Sequence, residues 1–255
     1  MPERSGAIER SGTIERADGV KLAYAYLAGD GPTLVFLSGF ASDMQGTKAQ
    51  FLRDWCAVRG AAMLRLDYSG HGASGGAFAD GTIGRWTADA RAVIDAVLPM
   101  GDIILAGSSM GGWIGLLLAR DLGARLAGFL GIAAAPDFTE DLMKPGLTET
   151  DRAALARDGV AMLPNPYGPP TPITAALLDD GARNLVLRAP IPIMAPVRLV
   201  HGQRDAEVPW QTSLCLAGQI ASEDVRVILV KDGEHRLSRD SDLALIGRIL
   251  EEMKQ

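Results

Sequence analysis

Hydrophobic positions along the chain fall into two patterns. Continuous apolar runs recur at Thr33–Leu37, Ala61–Leu66, Asp102–Ala106, Leu126–Ala134, Val197–His201 and Val225–Val230. Runs of this kind, without alternation, are expected of strands buried on both faces of a parallel sheet. Val20–Ala28 instead alternates, with Leu22, Tyr24 and Tyr26 on one face, as a half-buried antiparallel strand does. Asp30-Gly31-Pro32 then predicts a turn. Apolar residues at helical spacing fill the intervals. Phe51, Leu52 and Trp55 predict a helix ending at Gly60, and Ala90, Val93, Ile94 and Val97 predict one over Trp86–Leu98, stopped by Pro99. Trp113–Arg120, Trp210–Ile220 and Asp240–Met253 complete the series.

Strand and helix alternate, which predicts an α/β fold: a mostly parallel, doubly wound sheet with ligands at the carboxyl ends of its strands. An edge strand or tail at the N-terminus, where Gly6-Ala-Ile-Glu-Arg10 is echoed by Gly12-Thr-Ile-Glu-Arg16, brings the expected sheet to eight strands. The alternation breaks between Asp137 and Pro192, where eight prolines and short helical stretches at Glu149–Arg157 and Thr174–Leu187 occur. Proline at that density interrupts regular elements. We read about 137–190 as a small cap inserted over the active edge of a single domain.

Composition narrows the possibilities. A chain of 255 residues with 47% hydrophobic content can bury roughly 70–75% of its unfolded surface in one core. The apolar runs fall short of the ~20 residues needed to span a bilayer, and Met1-Pro-Glu-Arg-Ser-Gly6 has no signal-peptide order, so a cytoplasmic protein is expected. With a net charge of −6 and no basic cluster, nucleic acid is not an expected partner. Cys56 and Cys215 fit neither a disulfide framework nor a metal site and are expected to be core thiols. The glycine-rich loop Asp67–Gly76 lacks dinucleotide-binding spacing, and no cofactor or metal is expected.

The chemistry centres on Ile103–Trp113. An apolar run breaks into Gly107-Ser108-Ser109-Met110-Gly111 and resumes as a helix. Gly-x-Ser-x-Gly between strand and helix is a nucleophile elbow, a strained turn that lifts the central serine, here Ser109, clear of the sheet. A serine hydroxyl needs a base, and the base needs a third group to hold its tautomer. In this arrangement acid and then histidine follow the serine in the chain. That order excludes His71. His201 lies in an apolar strand and reads as structural, which leaves His235, in the loop after the last strand, as the base. Asp205, in the loop after the penultimate strand, is the preferred acid, with Asp137 the alternative. Glu207 and Asp232 read as solvated.

Two N–H donors must meet the oxyanion. Met110, after the nucleophile, and Phe40, after the Thr33–Leu37 strand, are the candidates. Apolar residues near loop ends that are expected to meet an acyl group include Phe40, Phe138, Tyr167 and Trp210, with Met110, Met143, Leu163 and Leu237 as further candidates. Lys48 is a candidate contact for an anionic substrate group, with a surface lysine the preferred reading.

Assembled in this way, the chain resembles the α/β-hydrolases. Ser38–Ala49, Arg65–Gly70, Gly107–Trp113, Pro190–Pro192, Val208–Ser213 and His235-Arg236 resemble the mitochondrial palmitoyl-protein thioesterases also described as acyl-glucuronide esterases. The resemblance implies hydrolysis of small-molecule or acyl-protein esters or thioesters by Ser109, Asp205 and His235. It is weakest over the cap, where acyl selectivity would reside. Elbow aspartate enzymes such as epoxide hydrolases and haloalkane dehalogenases are disfavoured by Ser109. Cofactor-free haloperoxidases, carbon-carbon bond hydrolases and a triad-retaining ligand-binding protein are the alternatives.

Overall fold

The structure is a computed structural model that describes residues 9–165 and 168–254. Its strands are β1 (Glu9–Glu15), β2 (Lys21–Leu27), β3 (Asp30–Leu37), β4 (Ala61–Leu66), β5 (Ile103–Ser108), β6 (Leu126–Ile132), β7 (Val160–Leu163), β8 (Thr171–Thr174), β9 (Val197–Gly202) and β10 (Val225–Val230). Eight of them form one sheet in the order β1-β2-β4-β3-β5-β6-β9-β10. β2 runs antiparallel to both neighbours and the strands from β4 to β10 are parallel, which is the α/β-hydrolase arrangement. The six residues of β5 are all buried, as their unbroken apolar run requires.

Helices cover both faces. On one side lie α2 (Ile83–Val97) and α3 (Met110–Leu122), with α7 (Gln211–Gln219), and their core includes Trp86, Trp113 and Leu216 packed on Leu105 and Phe129. On the other, α1 (Thr47–Arg59) and α8 (Asp240–Met253) bring Leu52, Trp55, Ile246 and Ile249 against Phe36, Ile104 and Leu130. Each large side chain so buried contributes about 1.5–3 kcal/mol. Helix α2 starts at Ile83, earlier than its apolar pattern suggests, because the Thr82 hydroxyl accepts the Arg85 N–H at 3.2 Å and caps it.

Between β6 and β9 the chain forms a separate patch of structure over the carboxyl edge. A π-helical turn (Thr139–Met143) runs into the one-turn α4 (Lys144–Gly146), followed by α5 (Glu149–Asp158), the antiparallel pair β7 and β8, and α6 (Ala175–Arg183).

Four local expectations are corrected. Asp30-Gly31-Pro32 is not a turn: Asp30 pairs with Ala61, and a bulge before Leu34 absorbs the proline. The helix expected to reach Leu187 ends at Arg183, because the Asp137 carboxylate takes the N–H groups of Val186 and Leu187 at 2.8 and 2.9 Å. β7 and β8 lie in a stretch whose prolines predicted no strand. Cys56 is buried, but Cys215 is exposed on the outer side of α7, whose inner side holds Ser213 and Leu216.

Candidate active site

Ser109 stands at the junction of β5 and α3 with φ 53° and ψ −120°. A non-glycine residue in such a conformation costs about 1–3 kcal/mol and persists only when its surroundings over-determine it. Here they do. The Ser109 N–H donates to the Ile132 carbonyl at 3.0 Å, and its own carbonyl accepts from Gly112 and Ala135 at 2.9 and 3.1 Å. The flanking glycines allow the close approach. A Cβ on Gly107 would lie 2.3 Å from the Gly111 carbonyl oxygen, and one on Gly111 would lie 2.1 Å from that of Leu37.

Three chain segments meet at the serine. His235 Nε2 lies 3.0 Å from Ser109 Oγ, and His235 Nδ1 lies 2.7 Å from Asp205 Oδ2. The loops carrying the two residues are joined directly, since the Arg204 N–H donates to the Gly233 carbonyl at 2.9 Å. The Asp205 side chain is fully buried. Burial opposes its ionisation, but bonds from His201 and His235 and the Val208 N–H at 2.8 Å outweigh it and hold the carboxyl well below its usual range. A second N–H, from Glu207 at 2.9 Å, meets the same Oδ1.

The other candidate residues have different surroundings. The Asp137 carboxylate accepts Val186 and Leu187 and tethers the end of the inserted segment. Burial raises its pKa, against those two bonds. Asp232 pairs with Arg239 at 2.7 Å. His71 is buried with its Nδ1 3.2 Å from the Ser69 carbonyl and its ring beside Tyr68, Phe78 and Trp86. Burial lowers its pKa. His201 is structural, but it also touches the site: its Nε2 is 3.1 Å from Asp205 Oδ2 and 3.0 Å from the Val208 carbonyl.

Ser109 and His235 open into a cleft of about 480 Å³. Phe40, Met143, Leu163 and Ile173 line it on the apolar side; Asp43, Lys48, Glu207, Arg236 and Ser238 supply polar groups. Leu163 and Ile173 come from β7 and β8, so the inserted hairpin forms part of its wall. Glu207 was expected to be merely solvated; its Oε2 is 3.7 Å from His235 Nε2. Lys48 is not a plain surface residue either, since it lines the cleft.

The expected substrate contacts divide. Phe40 is in the cleft wall. Phe138 is not: its ring packs behind Phe40 and against Trp113, with centroids 5.9 and 5.5 Å away, and it is 7% exposed. Trp210 also lies off the lining, half-buried at the start of α7, and Tyr167 is outside the described residues. Met110 and Leu237 are core residues. Met110 is the first residue of α3, so its N–H belongs to the helix end and has no intrahelical acceptor. No hydrogen bond among the described residues occupies the Phe40 N–H.

The fold and the grouping around Ser109 define an α/β-hydrolase, and the chain belongs to that family. A family model described as serine aminopeptidase, S33, matches residues 31–157. The chain is 37% identical to mouse palmitoyl-protein thioesterase ABHD10, mitochondrial, over 88% of this chain and 76% of the mouse protein. Among solved structures, a putative hydrolase from Agrobacterium vitis S4 superposes with a TM-score of 0.92 at 41% identity, covering 98% of this chain and 99% of that one. Mouse alpha/beta hydrolase domain-containing protein 10 superposes with a TM-score of 0.87 at 34% identity, covering 96% and 98%. The chain is thus an esterase-like hydrolase related to a thioesterase.

Proposed function

We propose that the protein is a serine esterase or thioesterase that works through an acyl-enzyme on Ser109, with His235 as base and Asp205 as acid. The observation that carries the reading is His235, whose two ring nitrogens span Ser109 Oγ at 3.0 Å and Asp205 Oδ2 at 2.7 Å. With Asp205 ionised, His235 Nδ1 keeps its proton and donates a hydrogen bond to the carboxylate, leaving the Nε2 lone pair to accept the Ser109 hydroxyl proton. Ser109 Oγ attacks the ester or thioester carbonyl carbon. The resulting oxyanion is met by the N–H groups of Met110 and Phe40, and each such donor is worth roughly 10²- to 10³-fold in rate.

Collapse expels the leaving group. An alkoxide leaves only as it takes the proton from His235 Nε2, whereas a thiolate leaves with little help. Glu207, 3.7 Å from Nε2, favours the transient imidazolium. Water then gives its proton to His235 and attacks the acyl-enzyme, releasing the acid and restoring Ser109. Met143, Leu163 and Ile173 suit an apolar acyl group, and the polar side of the cleft receives the leaving group. Small-molecule acyl esters and thioesters, and acyl groups on protein cysteines as in the name of the mouse relative, are the substrate class.

Steady-state assays with p-nitrophenyl esters and acyl thioesters test this. Multiple turnover by the wild type and none by Ser109→Ala is expected; a single turnover that leaves a lasting adduct identifies a ligand-binding protein instead.

A further inference from the structure

Helix α1 reaches the segment that carries His235 through one side chain. Lys48, in the first turn of α1, donates from Nζ to the carbonyl oxygen of Arg236, the residue directly after His235, and lies 3.4 Å from Ser238 Oγ. Ser238 Oγ donates to the same Arg236 carbonyl at 3.0 Å. Two donors therefore converge on the peptide that follows the imidazole. On its N-terminal side the segment is tied at Gly233 by Arg204, and on its C-terminal side Arg239 is bound to Asp232 and Asp242. Between these ties lies Leu237 at φ 43°, a strained conformation that needs outside restraint.

Lys48 is an expensive residue to keep there. It is half-buried, and no carboxylate lies within ion-pair distance of its ammonium among the described residues. Burial first, and then repulsion from Arg236, push its pKa down to about 8, with Asp242 acting the other way. The remaining charged or titratable groups of the cleft are Asp43, Glu207 and His235. Because the folded value lies below the ordinary value of ~10.4, the unfolded chain holds this proton more tightly between those two pH values. Stability therefore rises with pH across that window, and the charge costs stability at neutral pH.

We propose that Lys48 is a positioning residue for His235: it grips the Arg236 carbonyl and thereby holds the imidazole between Ser109 and Asp205. The inference rests on the reading of Ser109 as nucleophile. A bond from a charged donor is roughly twice as strong as a neutral one, so the grip weakens when the amine loses its proton. An arginine at 48 keeps its charge throughout.

The test compares wild type, Lys48→Met and Lys48→Arg by melting temperature, by the rate at which a fluorophosphonate labels Ser109, and by kcat and KM on p-nitrophenyl acetate from pH 6 to pH 10. Lys48→Met is expected to melt no lower than wild type at neutral pH, because the costly half-buried charge is gone, while kcat and labelling rate fall by about 10- to 100-fold, the scale of a small misplacement of a reacting group. Lys48→Arg is expected to recover most of the rate. Wild-type kcat is expected to decline above pH 8, and the arginine variant to lack that decline. A Lys48→Met enzyme with wild-type kcat and pH profile overturns the proposal. Should that variant fail to fold, the same alkaline decline in Lys48→Arg overturns it. Wild-type protein that is not labelled at all overturns the nucleophile assignment itself, a separate and recognisable result.

Discussion

His201 Nε2 lies 3.1 Å from Asp205 Oδ2, the same carboxylate oxygen that His235 Nδ1 approaches to 2.7 Å. Nε2 also sits 3.0 Å from the Val208 carbonyl oxygen. Facing two oxygen acceptors, that nitrogen must carry the proton, and His201 Nδ1 accepts from the Ser213 hydroxyl at 2.7 Å. Ser213, His201, Asp205, His235 and Ser109 form one continuous chain. His201 and Asp205 are fully buried within it. Removing the second donor leaves Asp205 with one imidazole instead of two. A hydrogen bond to a charged group is worth about 1.5–3 kcal/mol, so His201→Phe is expected to lower kcat roughly 10- to 150-fold. Steady-state kinetics on p-nitrophenyl butyrate check this, with KM little changed; unaltered kcat would show that His201 serves packing alone.

The depressed pKa of Asp205 also bears on acid stability. A carboxylate whose folded value lies below its unfolded one contributes stability that is fully present above the unfolded value of ~3.9 and is lost as pH falls below it, where the unfolded chain takes up the proton first. Asp67 and Asp137 act with the opposite sign, because burial raises both. Urea unfolding between pH 3 and pH 6 is expected to show stability falling as pH drops below about 4.5, with a shallower slope in Asp205→Asn. An equal slope in both proteins would show that Asp205 does not carry the effect.

The elbow depends on backbone contact at Gly111. A Cβ there would lie 2.1 Å from the Leu37 carbonyl oxygen and 2.6 Å from the Ser38 carbonyl oxygen, and neither is a flexible side chain that can move aside. Gly111→Ala is expected to cost at least about 1–3 kcal/mol. For a chain of this size that lowers the melting temperature by roughly 2–4 °C per kcal/mol. Activity is expected to fall further than stability, since the strained turn itself must shift. Calorimetry and kinetics on the purified variant check both parts.

Much of this was legible in the residues, for physical reasons. Strands buried on both faces have to be continuously apolar, so β4 matches its predicted bounds; β10 also matches, but as an edge strand with no fully buried residue, where burial on both faces was expected. An elbow must have glycines where backbones touch, which marked Ser109. The proposed acid and base lie on loops that follow identifiable strands, so chain order set His71 aside and loop position favoured His235 over His201 and Asp205 over Asp137; in the structure it is Asp205 and His235 that line up with Ser109. Side-chain direction left no such trace. Phe138 and Trp210 lie in loops near the active edge, yet Phe138 turns into the aromatic packing behind Phe40 and Trp210 starts α7 away from the cleft. β7 and β8 are four-residue strands of a two-stranded sheet, short enough that Pro172 fits within the pair and too short for an alternation signal. Glu207 and Lys48 carried no pattern. Each gains its meaning from a contact across the cleft, 28 positions away for Glu207 with His235 and 188 for Lys48 with Arg236.

Leu163 and Ile173, from the hairpin, are expected to set acyl-chain length. Ile173→Trp places a larger ring in the apolar side of the cleft. Each methylene of fit is worth about 1–3 kcal/mol in a hydrophobic pocket. The variant is therefore expected to lose kcat/KM on octanoyl and palmitoyl substrates by at least 10-fold relative to acetyl ones. Parallel loss across all chain lengths would place the acyl group elsewhere.

The most direct measurement is covalent labelling with a fluorophosphonate followed by peptide mass spectrometry. If Ser109 is the nucleophile, the adduct is expected on Ser109 at one equivalent per chain, absent from Ser109→Ala, and slowed by about 10⁴-fold in Asp205→Asn, in line with the loss of the correct histidine tautomer. Wild-type protein that remains unlabelled at Ser109, or a Ser109→Ala variant that is labelled as fast as wild type, would contradict the assignment.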